Sequence, residues 1–135
     1  MRMAAQDQDA IVKQCIAYVV DDDEEVRSSI AFMLETEGMR SQAFESAAEL
    51  LDSLPRLSPG CLLIDLRMPE MDGLELMAEL GRRGCDWPVV AMTGNDARDF
   101  PDRARAQGAV DFIAKPFDID MLLVCLRMAC RMVCC

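Results

Sequence analysis

Residues 61–73 read Cys61-Leu62-Leu63-Ile64-Asp65-Leu66-Arg67-Met68-Pro69-Glu70-Met71-Asp72-Gly73. An apolar run leads straight into a carboxylate. Such a run is the mark of a strand buried on both faces, as inside a parallel sheet. Pro69 stops the strand, and Asp72-Gly73 marks a turn ahead of a helix. Asp65 therefore belongs at the carboxyl end of a central strand, the edge of an open α/β sheet where ligands bind. A single Asp at a strand end is more often a turn former or a helix cap, so its meaning depends on the other strand ends.

On either side of this stretch the same unit recurs. Upstream, Cys15-Ile16-Ala17-Tyr18-Val19-Val20 is a β-rich apolar run ending in Asp21-Asp22-Asp23-Glu24-Glu25. Val26, Ile30, Met33 and Leu34 recur at helical spacing and predict a helix over 24–37, closed by Gly38. Residues 39–44 alternate as a second strand. Ser46 is an N-cap with Glu49 as its capping-box partner, and its helix runs to Leu54, before the loop marked by Pro55 and Pro59. Downstream, Leu74, Leu76, Met77 and Leu80 define a third helix that stops near Gly84. Residues 88–92 form a fourth strand, ending at Thr93-Gly94. The polar segment 95–107 predicts a helix whose start Pro101 makes late or irregular, and Gly108 caps it. Residues 110–114 form a fifth strand, ending at Lys115-Pro116-Phe117. Asp118 opens a last helix that runs almost to Cys135. Strands alternating with helices imply a parallel sheet covered on both faces, with right-handed crossovers. One domain over 15–135 follows, with 1–14 as a flexible lead.

The composition fits this reading. At 135 residues and 52% hydrophobic content, the chain suits one domain with a proper core and is too apolar for disorder. No stretch approaches the ~20 apolar residues of a membrane span, and 1–14 is polar where a signal peptide is apolar. The expectation is a cytoplasmic protein with no membrane partner. A formal charge of −10 argues against direct nucleic-acid binding and for a basic or metal-ion partner. There are 7 cysteines and no histidine. The odd count and the lack of a Cys-x-x-Cys pair argue against a disulfide framework or a zinc site. Cys15, Cys61 and Cys125 read as small buried apolar residues, and Cys134-Cys135 as an exposed terminal pair with no assigned function. Without histidine, the usual general base and the Ser-His and Cys-His dyads are unavailable.

Side by side, the strand ends bring Asp21, Asp22, Asp65, Thr93 and Lys115 to one edge. Each has a bland explanation: an acidic helix N-terminus, a turn threonine, a solvated lysine. Together they make poor structure, because like charges ~4 Å apart repel by ~4 kcal/mol at an effective dielectric of ~20. The cluster calls for a cation, and an all-oxygen site with room for water suits Mg2+. The matching chemistry is phosphoryl transfer, with Lys115 and Thr93 holding phosphate oxygens and an Asp as the accepting nucleophile.

Val20-Asp21-Asp22, Ile64-Asp65-Leu66-Arg67-Met68-Pro69, Met71-Asp72-Gly73, Met92-Thr93-Gly94, Gly108-Ala109-Val110-Asp111-Phe112 and Lys115-Pro116-Phe117 resemble the receiver domain of two-component response regulators, with the FixJ-like subgroup as the nearest likeness. The resemblance runs in order from Ile16 to the end. It implies a flavodoxin-like (βα)5 three-layer sandwich with a five-stranded parallel sheet. It implies that Asp65 accepts a phosphoryl group from a phospho-histidine of a sensor kinase or phosphotransfer protein. It places Mg2+, for which Mn2+ is an acceptable substitute, on Asp21, Asp22, Asp65 and the backbone carbonyl of Arg67. Thr93 and Lys115 would bind phosphoryl oxygens, and Phe112 would be the aromatic switch residue. The Lys115-Pro116 bond would be cis, Asp23 a helix cap, and Arg67 and Asn95 the positions that tune dephosphorylation.

The rival is an enzyme. Asp21-Asp22-Asp23 followed by Thr93 and Lys115 resembles haloacid-dehalogenase phosphatases, with Asp21 as nucleophile. That reading leaves Asp65 unexplained, lacks room for a cap, and lacks an acidic pair after the lysine. A pseudo-receiver acting only by contact is disfavoured by the intact Asp65, Thr93 and Lys115. Two outputs stay open: a stand-alone receiver, or the receiver fragment of a longer DNA-binding transcription regulator. In the last helix, Asp120, Val124, Arg127 and Arg131 share one stripe, and apolar residues cover most of the rest. Met121, Met128 and Met132 exceed what one sheet face can bury, so this helix is a candidate surface for a phosphorylation-dependent homodimer or another partner. Packing on the edge of the fourth helix is the plainer alternative.

Overall fold

The computed structural model describes residues 15–94 and 100–133. The predicted lead over 1–14, Asn95 and the Cys134-Cys135 pair lie outside the described residues. The strands are β1 (Ile16–Val20), β2 (Arg40–Phe44), β3 (Cys61–Asp65), β4 (Val89–Thr93) and β5 (Asp111–Ala114). The helices are α1 (Glu24–Thr36), α2 (Ala47–Ser53), α3 (Gly73–Arg82), α4 (Phe100–Ala106) and α5 (Ile119–Val133). A 3-10 turn, Leu54–Arg56, follows α2. The helix predicted to reach Leu54 thus ends one residue earlier, where Pro55, which has no N–H to donate, sits in that turn. Of the helix predicted over 95–107, Phe100–Ala106 is described, with Pro101 in its first turn.

All pairings in the sheet are parallel, in the order β2-β1-β3-β4-β5. This is the flavodoxin-like order, in which the chain reverses its winding between β1 and β3. Alternation along the strands sorts the core into two sheets of contacts. Ala17, Val19, Leu63, Val90, Met92 and Ile113 face α1 and α5, packing on Ile30, Leu34, Leu122 and Leu126. Tyr18, Val20, Leu62, Ile64 and Ala91 face α2, α3 and α4, packing on Leu50, Leu76, Leu80 and Ala104. β3 is buried at every position, as its unbroken apolar run requires.

Helix starts are built by carboxylates and a hydroxyl. Asp23 caps α1, its Oδ1 accepting from the N–H of Glu25 at 2.9 Å. Ser46 Oγ accepts from Glu49 N–H at 3.1 Å. The full reciprocal capping box forms at the Asp72-Gly73 turn. Asp72 Oδ1 accepts from Glu75 N–H at 2.8 Å, and Glu75 Oε1 accepts from Asp72 N–H at 3.1 Å. That box fixes the entry of α3 immediately beyond Asp65.

Candidate functional site

The β1–β3 register pairs Val20 with Ile64, so Asp21 and Asp65 emerge side by side at the carboxyl edge. Asp22 follows on the loop into α1. Carboxylate oxygens of Asp21, Asp22 and Asp65 lie within 4.8 Å of one another. Asp21 is fully buried and Asp65 is 5% exposed, while Asp22 faces solvent. The cluster therefore has one open side.

Lys115 reaches this cluster from the end of β5. Its Nζ donates to Asp21 Oδ2 at 2.7 Å and to Asp65 Oδ2 at 3.3 Å. The Lys115 N–H also donates to the Thr93 carbonyl at 2.7 Å, which ties the ends of β4 and β5 together. The Lys115–Pro116 peptide is cis. Thr93, buried at the end of β4, completes the edge. Ala91 pairs with Phe112 and Thr93 with Ala114, so Thr93 and Phe112 share one face of the sheet. The half-buried Phe112 ring carries the Arg105 guanidinium 4.6 Å from its centroid.

Other contacts hold the Asp65 side chain and the strand-end loops. Asp65 Oδ1 accepts from the Arg67 N–H at 3.0 Å, leaving Oδ2 beside Lys115. Leu66 N–H donates to the Met92 carbonyl at 3.0 Å, which continues the ladder one residue past β3. Gly73 packs directly under this segment: a Cβ there would lie 2.5 Å from the Asp65 carbonyl oxygen and 2.7 Å from Leu66 Cα. Arg27 Nη1 donates to the Asp21 carbonyl at 2.8 Å and anchors α1 to the end of β1. The sequence marks Gly73 only as part of a turn motif, without this close packing, and does not mark Arg27. Asp72-Gly73 reads as an ordinary turn, and the reach of Arg27 back to a strand end leaves no local trace.

Electrostatics follow the geometry. Burial pushes the Asp65 carboxyl up to about 6; the neighbouring Asp21 charge adds to this, while the Arg67 N–H and Lys115 oppose it. Burial alone would depress the Lys115 ammonium. Its bond to Asp21 and the charges of Asp65 and Asp21 outweigh burial and raise it, so Lys115 stays protonated. One ammonium thus faces three carboxylates, an excess of negative charge suited to a cation with oxygen ligands.

A parallel sheet of this order with an acidic cluster at the β1/β3 switch point defines a class. The chain belongs to the response regulator receiver domain family, whose model matches residues 17–127. It is 40% identical over 114 residues to the transcriptional regulatory protein FixJ of Bradyrhizobium diazoefficiens, covering 84% of this chain and 56% of that one. It is 43% identical over 105 residues to the DNA-binding transcriptional regulator NtrC of Klebsiella pneumoniae, covering 78% and 22%. The crystal structure of FixJ-N superposes with a TM-score of 0.83 at 37% identity, covering 87% of this chain and 94% of that one. The chain spans about half the length of the FixJ relatives, 56% and 52% for two of them. The chain is thus a receiver domain of two-component response regulators, similar to those of FixJ and NtrC. Membership sets aside the dehalogenase-like reading.

Proposed function

We propose that Asp65 accepts a phosphoryl group from the phospho-histidine of a sensor kinase or phosphotransfer protein. The observation that carries this is the 4.8 Å cluster of Asp21, Asp22 and Asp65 oxygens, spanned by Lys115. A P–O bond forms on the Asp65 carboxylate as the P–N bond breaks and the imidazole keeps the electron pair. With a pKa of about 6, Asp65 is ionised and nucleophilic at neutral pH. Lys115 and the Thr93 hydroxyl bind the phosphoryl oxygens, drawing on donors already at the strand ends. The chain then promotes only its own phosphorylation and dephosphorylation and is a switch rather than an enzyme for other substrates.

The oxygen-only donor set fits Mg2+, with Mn2+ as a substitute: Asp21, Asp22, Asp65 and the Arg67 carbonyl would hold it. When bound, the ion neutralises charge on phosphoryl oxygens. Movement of Thr93 toward the phosphoryl group would free space on its own sheet face for the Phe112 ring, a two-state shift biased by roughly −1.5 to −2 of added charge. Output through α5 is supported by its exposed Met121, Val124, Met128 and Met132, between 51% and 57% accessible. These residues suit a homodimer or a partner protein. The names and greater length of the relatives support a second reading, output through a DNA-binding segment of a longer regulator, with no nucleic-acid contact by the receiver itself. No helix among the described residues is long and apolar enough to cross a membrane; action in the cytoplasm, where histidine-kinase catalytic domains work, is part of the proposal.

The test is intact mass after incubation with acetyl phosphate and Mg2+. The wild type should gain one phosphoryl group and Asp65→Asn none. Equal gain in both would refute the assignment.

A further inference from the structure

Opposite the acidic edge, three thiols converge. Cys15 precedes β1, Cys61 opens β3, and Cys130 comes from the last turns of α5. Their sulfurs lie within 4.8 Å of one another, and Cys61 Sγ is 3.7 Å from Cys130 Sγ. All three are buried, at 4%, 0% and 0% exposure, among Ala17, Leu63, Met39 and Leu126 of the apolar core. Neither phosphoryl acceptance nor the switch uses them.

We propose that Cys15, Cys61 and Cys130 form a three-sulfur site for one thiophilic closed-shell ion, Cu(I). Metal–sulfur bonds of about 2.3 Å place the sulfurs of a trigonal set ~4.0 Å apart. The cluster reaches that spacing by moving less than ~1 Å. A disulfide needs ~2.05 Å between sulfurs, so Cys61 and Cys130 would have to close by more than ~1.6 Å inside a packed core. Soft thiolates select Cu(I) or Zn2+. A closed zinc site takes four protein ligands. The group found among the described residues holds three cysteines and no carboxylate, and the chain has no histidine. Burial of all three side chains disfavours a water as the fourth ligand of a zinc shell. A set complete at three suits Cu(I).

Charge does not separate the two ions. Each ligating thiol releases its proton to solvent. Full deprotonation around Cu(I) leaves a net charge of −2; retention of one thiol proton leaves −1, the same as Zn2+ on three thiolates. An ion here would join the start of β1 to the end of α5.

The test uses the reduced full chain under anaerobic conditions, titrated with Cu(I) against a chromophoric Cu(I) chelator. Because Cys85, Cys125, Cys134 and Cys135 can also bind copper, the reference is Cys85→Ser/Cys125→Ala/Cys134→Ser/Cys135→Ser, which leaves the trio intact. It should take up one Cu(I), rise in melting temperature, and show three sulfur neighbours by X-ray absorption. Adding Cys15→Ala to it should weaken binding by at least the roughly 10–100-fold that loss of an outer partner costs a metal site. Circular dichroism of the metal-free proteins separates loss of ligand from loss of fold. Absence of uptake by the reference, or undiminished uptake after Cys15→Ala, overturns the site. Stabilisation by Zn2+ with none by Cu(I) overturns the choice of ion.

Discussion

The two ends of β1 and β3 carry opposite chemistries on the same pair of strands. On one face of the sheet, β1 is flanked by Cys15 and Asp21, and β3 begins at Cys61 and ends at Asp65. At about 3.3 Å per residue, Cys61 and Asp65 are separated by roughly 13 Å. Each end gathers three metal-capable side chains within 4.8 Å. The oxygen cluster opens to solvent through Asp22, because loops leave a parallel sheet at its carboxyl edge. The sulfur cluster is closed, because helices run back antiparallel to the strands and α5 delivers Cys130 over the strand starts. The same topology therefore places an open oxygen cluster at one end and an enclosed sulfur cluster at the other. Accessibility follows from chain direction, and ligand type from a few residues.

Breaking the acidic end should have the larger effects. Removing Lys115 leaves fully buried Asp21 and nearly buried Asp65 without their cation. Lys115→Ala, measured by urea unfolding without metal at neutral pH, should lose stability toward the lower end of the ~3–5 kcal/mol typical of a broken buried pair, since Lys115 is partly exposed. Mg2+ should restore part of the loss.

Titration of Asp65 gives the next effect. Its carboxyl sits near pH 6 in the fold and near ~3.9 in an unfolded chain. Between those values the folded state holds the extra proton. The stabilisation is therefore complete below pH ~4 and is lost as pH rises through 6. In metal-free buffer, the stability of the wild type relative to Asp65→Asn should fall by roughly 2–3 kcal/mol between pH 4 and pH 7. A constant difference would show that Asp65 is not desolvated as described.

Removing the exposed carboxylate sharpens the contrast between the ends. Asp22→Ala should modestly raise metal-free stability by removing like-charge repulsion and abolish the rise in melting temperature on adding Mg2+. A Mg2+ response equal to the wild type would remove Asp22 from the site. The smallest effect belongs to neither end. Met128→Glu on the exposed α5 stripe should leave folding intact and reduce self-association of the phosphorylated protein in sedimentation. Unchanged sedimentation of the phosphorylated form would argue against the stripe as a dimer surface.

The acidic end was legible in sequence because it is written locally. Asp21, Asp65, Thr93 and Lys115 each terminate a recognisable apolar run, and parallel strands must align those ends. The exposed methionines of α5 were legible too, since one sheet face cannot bury most of a helix's circumference. The thiol end was not. Cys15 and Cys61 read correctly as buried residues, but their meeting with Cys130 depends on strand order and on where α5 crosses the sheet, which no spacing rule encodes. The capping box at Asp72 was hidden for a simpler reason: its Asp-Gly pair also spells a turn, and both descriptions hold.

The claim that Asp65 is the acceptor can be tested at single-peptide resolution. Trypsin should release residues 57–67, in which Asp65 is the sole carboxylate side chain, and residues 14–27, which hold Asp21 and Asp22. After reaction with acetyl phosphate and Mg2+, borohydride reduces an aspartyl phosphate to a stable product that mass spectrometry can locate. The reduced residue should appear in peptide 57–67 and be absent from peptide 14–27. Its appearance at Asp21 or Asp22, with Asp65 unmodified, would contradict the account.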